Sequence, residues 1–201
     1  MKKLLLPVLL ILLMSTTTSD YKLTDEERRL AVSELTNSKE HLLIAVNGLS
    51  PAQLNYKTSP ESWSIAENVE HLAITEAALS GMIQQLMQTP ADAANRDKVS
   101  MSDHEVLALI EDRSQKIQTQ KPFEPSNKFG SYDASLMAFK DARAKNIEMA
   151  KTSTEDFRNR VQEFPFGTID GFQAVLFLAG HSERHVRQIE EVMRSPDFPK
   201  S

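Results

Sequence analysis

Cysteine is absent from this chain of 201 residues. That absence excludes disulfides, thiolate metal sites, iron–sulfur clusters and cysteine nucleophiles together. Basic residues are also short: 23 Lys plus Arg stand against 28 Asp plus Glu, and no basic cluster is present. A net-acidic chain of this kind is a poor binder of phosphate backbones, so no nucleic-acid partner is expected. Glycine occupies only 6 positions and proline 9, beside 40% hydrophobic and 25% charged residues. That balance belongs to a globular chain with a sizeable core, and the length suits one domain.

Long hydrophobic runs are limited to one. Residues 4–14 are almost wholly apolar and follow Lys2 and Lys3. A membrane-crossing helix needs about 20 apolar residues, so this run reads as the core of a signal peptide spanning residues 1–19. Thr17 and Ser19 are small enough to flank a cleavage site, which leaves Asp20 as the mature N-terminus and residues 20–201 as the domain. No transmembrane span remains after removal, and the expected location is periplasmic or secreted. The alternative is an uncleaved N-terminal segment that anchors the protein in a membrane.

Alternating β-branched runs, hairpin turn pairs and internal repeats are lacking, which points to an all-α fold. Capping boxes mark the helix starts at Thr24–Glu27, Ser64–Glu67 and Ser102–Glu105. They predict helices from 25 to about 47, from 65 to about 87 and from 103 to about 117. Further helices are expected at Pro51, from about 132 to 151, and from an Asp170 cap to about 194. Four long helices with loose connections suggest a bundle.

Five histidines stand at 41, 71, 104, 181 and 185. His181 and His185, four apart, project from one face of the last helix, with Leu178, Ile189 and Val192, away from Glu183, Arg187, Glu190 and Glu191. His71 shares a stripe with Ile74, Ala78 and Met82. Two apolar-side imidazoles without carboxylate partners favour a shared cation. Spacing alone fits a solvated helix face as well, because H-x-x-x-H without further ligands is a weak pattern. His41 and His104 read as surface residues. Glu67 projects near His71 but is explained by its capping box. Arg143 falls among Leu136, Phe139 and Ile147, and reads either as snorkelling from the edge of that stripe, the favoured reading, or as pointing its charge into the bundle; a substrate contact is a further option. Trp63, before the Ser64 cap, reads as a hydrophobic staple or core plug, and as a pocket wall only secondarily.

These residues carry a resemblance. Trp63-Ser64-Ile65-Ala66-Glu67-Asn68-Val69-Glu70-His71-Leu72, followed by His181-Ser182-Glu183-Arg184-His185-Val186-Arg187-Gln188-Ile189, resembles the DinB/YfiT-like superfamily. Leu49 to Leu54, Phe164-Pro165-Phe166-Gly167 and Asp197-Phe198-Pro199 fit the same pattern, so the likeness spans about residues 24–199. It implies a four-helix bundle with one long crossover, in which His71, His181 and His185 bind a divalent metal. Some members are transferases that use low-molecular-weight thiols, and others are regarded as metal-dependent hydrolases. Export would remove this chain from the cytosolic thiol pool, which weakens the thiol reading.

Three neutral imidazoles leave a Zn²⁺-like ion an open position, where it can activate water or another nucleophile. Zn, Ni and Fe all suit such ligands. Gln188, near His185, is the expected outer partner of the ligands, and Glu67 is the candidate general base. The expectation is therefore a metal-dependent hydrolase or transferase with a small-molecule substrate. The alternative is a non-catalytic periplasmic metal or ligand binder, and a homodimer is compatible with either.

Overall fold

A computed structural model describes residues 22–200, and the signal-peptide reading of 1–19 lies outside them. Six α-helices are present: α1 (Asp25–Val46), α2 (Pro51–Leu54), α3 (Ile65–Met87), α4 (Asp103–Glu111), α5 (Tyr132–Thr152) and α6 (Gly171–Met193). Capping boxes at Thr24, Ser50, Ser64, Ser102 and Asp170 satisfy the first free N–H groups of five of them. No described helix is long and apolar enough to cross a membrane.

Helices α1, α3, α5 and α6 form the bundle, with α1 and α3 at opposite corners. Side-chain bonds fix the directions. Arg28, at the start of α1, donates to the carbonyls of Ala150 and Ser153 at the end of α5, so these two run antiparallel. Glu76 meets Arg143, and Ser80 meets Asn146, so α3 and α5 run parallel. Asn68 meets His185 and His71 meets His181, which makes α3 and α6 antiparallel. The order is up-down-down-up. Two consecutive parallel helices require the chain to travel back along the bundle, and residues 88–131 do so, laying α4 against α6 on the way.

Two apolar clusters build the core. One gathers Leu35, Ile83, Phe157, Phe172 and Leu176; the other gathers Leu42, Ile65, Val69, Phe139 and Ile189. Each buried Leu or Phe contributes about 1.5–3 kcal/mol relative to exposure.

Between them sits the guanidinium of Arg143, wholly buried. It donates to both oxygens of Glu76 at 2.6 and 2.8 Å. It also donates to the Leu35 carbonyl, Ser38 Oγ, the Leu178 carbonyl and Ser182 Oγ. Asn146 Nδ2 donates to Glu76 as well. All four long helices meet at this one charge. Arg143 therefore does not snorkel but points its charge into the bundle, where every N–H has an internal acceptor, the condition under which a charge can be buried.

Two expectations need correcting. The fold is mostly helical rather than all-α, because Val161–Phe164 (β1) and Gly167–Asp170 (β2) pair as an antiparallel hairpin before α6. Its turn, Pro165-Phe166, is followed by Gly167 at φ 137°, which only glycine adopts freely, and no Asn-Gly or Asp-Gly pair signals it. Helix α4 also stops at Glu111 rather than near residue 117. Asp112 leaves the helical region and accepts from Ser114 N and Oγ, while Arg184 takes the carbonyls of Ile110, Asp112 and Gln115. An Asx turn and a tertiary arginine together end that helix.

Candidate metal centre

The site begins with a cap. Ser64 Oγ accepts from Glu67 N, and Glu67 Oε2 accepts from Ser64 N at 2.8 Å, which fixes the start of α3. One turn on, Asn68 Nδ2 donates to the Ser64 carbonyl at 2.9 Å. That bond orients the amide, turning Asn68 Oδ1 toward Nδ1 of His185 at 3.1 Å. An amide oxygen only accepts, so His185 carries its proton on Nδ1 and keeps Nε2 free as a lone pair. His71 is arranged likewise. Its Nδ1 donates to the Phe123 carbonyl at 2.8 Å, from the short 3-10 turn Lys121–Phe123 in the crossover.

The free nitrogens then converge. His71 Nε2 lies 3.3 Å from His181 Nε2, and one ring nitrogen from each of His71, His181 and His185 falls within 4.8 Å of the others. His71 and His185 are buried, and His181 is partly exposed. Burial, opposed by the Phe123 bond, lowers the pKa of His71. Burial, then the neighbouring His71, Arg184 and Arg143, holds His181 well below the usual imidazole value. Burial, then His181, His71, Arg113 and Arg184, does the same to His185. All three are thereby kept neutral, the protonation state that a cation requires of imidazole. At 3.3 Å, His71 Nε2 and His181 Nε2 can share a proton, through the Nε2–H tautomer of His181, or turn both lone pairs to a common cation. The donor set fits a divalent metal.

The other candidate residues are elsewhere. Glu67 has both oxygens engaged, by the cap and by Lys57 Nζ at 2.7 Å. Gln188 does not touch the imidazoles; its Oε1 accepts from Arg113, whose guanidinium also grips Glu191. The outer partners are Asn68 and the Phe123 carbonyl instead. Asn68 was open to discovery, lying three residues before His71 on the same helix; the carbonyl of a distant loop carried no signal. Trp63 is only partly exposed and lies against the histidines, its ring 4.8 Å from that of His71 and 6.1 Å from that of His185, which fits a pocket wall better than a core plug. His104 is exposed in the first turn of α4. His41 is partly exposed, as expected of a surface residue, but it bridges helices, meeting Glu183 at 3.0 Å and Glu190 at 3.1 Å. Partial burial opposes its charged form, yet the two carboxylates outweigh this and raise its pKa.

The DinB superfamily family model matches residues 34–189, which run from the middle of α1 through α3 and α5 to the turns of α6 that carry His181 and His185. The chain belongs to the DinB superfamily. Uncharacterized protein YuaE of Bacillus subtilis is 26% identical over 148 residues, covering 73% of this chain and 87% of that protein. A solved structure, YfiT of Bacillus subtilis, superposes with a TM-score of 0.52 at 16% identity, covering 86% of this chain and 89% of that one. YfiT is described as "a probable metal-dependent hydrolase with an unusual four-helix bundle topology". At that identity the likeness shows a shared four-helix-bundle fold, whose helix order here is the up-down-down-up one above.

Two expectations follow from the imidazole environment. Asn68→Ala should weaken Zn²⁺ or Co²⁺ binding about 10–100-fold, the usual effect of losing a ligand's outer partner, while Gln188→Ala should leave it unchanged. Competition titration with a chromophoric chelator measures both. The second concerns acid. Unfolded histidines take up protons near pH 6.5, whereas the three depressed groups do so only at lower pH. Below about pH 6.5 the unfolded state then binds more protons at these three groups, so their contribution to stability falls as pH falls and is flat above that pH. Urea melts at pH 7.5 and 5 should show this loss, and His185→Gln should reduce it.

Proposed function

We propose that this DinB protein is an exported metal-dependent enzyme, a hydrolase or transferase acting on a small molecule, with a divalent cation held by His71, His181 and His185. The observation that carries the reading is the convergence of three imidazole nitrogens held neutral by burial and, for two of them, oriented by Asn68 and Phe123. A cation held there would supply Lewis acidity to a bound oxygen or other nucleophile. The likeness to a protein described as a probable metal-dependent hydrolase supports the hydrolase class. Zn, Ni and Fe are the metals proposed.

The chain's own contributions are positional. Asn68 and the Phe123 carbonyl keep two ring protons on Nδ1, and Trp63 covers the outer faces of two rings. His181 is the part-exposed member through which a substrate would approach. A non-catalytic metal binder is the second reading, favoured by one observation: Glu67, the candidate base, is tied to Lys57 and the cap.

Elemental analysis of protein from its native compartment tests the metal. Turnover of a panel of small esters and amides, abolished by chelator and restored by one metal, supports the enzyme; stoichiometric metal without turnover on any of them supports the binder. Export is tested by intact mass. A chain starting near Asp20 supports a cleaved signal, and Met1 retained in a membrane fraction supports an anchor.

A further inference from the structure

The rings around His181 form a continuous aromatic face. His181 stacks on Phe177, one turn earlier on α6, with centroids 5.9 Å apart and planes 9° from parallel. Phe177 stacks in turn on Phe166, at 5.9 Å and 7°, and on Phe164, at 5.3 Å and 29°. Phe164 and Phe166 stack on each other at 5.2 Å. All three phenylalanines remain partly exposed, although a core aromatic is ordinarily covered. Phe166 stands in the hairpin turn, where small or polar residues are the rule. The turn thus carries a partly exposed ring at the edge of the core, joined through Phe177 to the one partly exposed imidazole of the cluster.

We propose that Phe164, Phe166 and Phe177 are the specificity wall of the metal site, and that its substrate carries a flat aromatic group next to the head that meets the cation. The inference rests on the metal-site reading above and names the substrate class for that site. A polar head bound beside His181 would have Phe177, stacked on that imidazole, as its neighbouring ring, with Phe166 and Phe164 next beyond it. A planar group can stack there on rings already near parallel, removing both its own and the wall's apolar surface from water. A bulky but non-planar group of the same size meets the wall along an edge and gains less. A methyl group does not reach it.

Three hydroxamates separate these cases, because they share one chelating head. Full-length protein loaded with Co²⁺ is titrated with benzohydroxamate, cyclohexanecarbohydroxamate and acetohydroxamate, followed by the visible Co²⁺ spectrum. Benzohydroxamate is expected to bind about tenfold more tightly than acetohydroxamate, with the cyclohexyl compound between them. Phe166→Ala should remove that preference and leave acetohydroxamate affinity unchanged. Phe166→Leu, which keeps apolar bulk in the turn but no flat face, should bring benzohydroxamate down to the cyclohexyl level. Equal binding of all three, or a benzohydroxamate preference that survives both substitutions, overturns the wall while leaving the metal site standing. Failure of every hydroxamate to change the Co²⁺ spectrum overturns the open metal site, and the wall with it.

Discussion

Replacing Arg143 by alanine is expected to destabilise the bundle by about 3–5 kcal/mol, because it strands the buried Glu76 carboxylate. For a chain of this size that lowers the melting temperature by about 10 °C. The cost comes from the unpaired charge more than from lost bonds. A double replacement, Arg143→Met with Glu76→Leu, removes both charges at similar volume. It should recover a large part of the loss, since no buried charge is left unpaired and Ser38 Oγ keeps the bond it donates to the Glu34 carbonyl. Equilibrium urea unfolding measures both. If the single variant unfolds at the wild-type midpoint, the guanidinium is not buried and the central layer is wrongly placed. If the double variant is worse than the single, the pair stabilises the fold outright instead of merely satisfying itself.

The second large effect is on metal. His71→Ala, His181→Ala or His185→Ala should each weaken Zn²⁺ binding by more than the roughly 100-fold upper limit seen for outer-partner losses. The fold should survive each change, because the two apolar clusters do not depend on the imidazoles. Zn²⁺ at a hundred times its Kd should stabilise the wild type by about 2.7 kcal/mol, and this increment should vanish in all three variants. His41→Ala is the control. It removes the bridge from α1 to Glu183 and Glu190 but should keep the full metal increment. Its own contribution to stability has the opposite pH sense to that of the metal-facing histidines. A raised folded-state value means that the bridge stabilises below about pH 6.5 and fades as pH rises through the folded pKa. An unchanged Zn²⁺ increment in any of the three variants, or its loss in His41→Ala, would contradict the ligand set.

Much of this arrangement was legible in the sequence because it depends on local rules. Capping boxes have a fixed spacing of three, and the structure starts α1, α3 and α4 where Thr24, Ser64 and Ser102 stand. The four-residue step from His181 to His185 placed both on one helix face, and His71 faces them. The misses share a different cause. The end of α4 is set by Arg184, a residue more than 70 positions away, reaching for its last carbonyls. The hairpin is held by rings that meet Phe177, not by turn chemistry. Arg143 looked like a stripe-edge residue because its partners lie on three other helices, beyond any periodicity. Gln188 has the right spacing from His185, but Arg113, from the crossover, claims it.

The parallel run of α1 and α6 has a mechanical consequence. The described chain enters the bundle at one end, at the start of α1, and leaves it at the other, at the end of α6. A force applied between those points would pull the two neighbouring helices past each other lengthwise rather than peel one from its end. Sliding of that kind loads the lateral links together: His41 against Glu183 and Glu190, and the Leu35 and Leu178 carbonyls through the shared Arg143. No link can fail alone and pass its share to the next in sequence. Stretched between its termini, the molecule should therefore yield in one abrupt event, at a force set by its unfolding barrier rather than by its equilibrium stability.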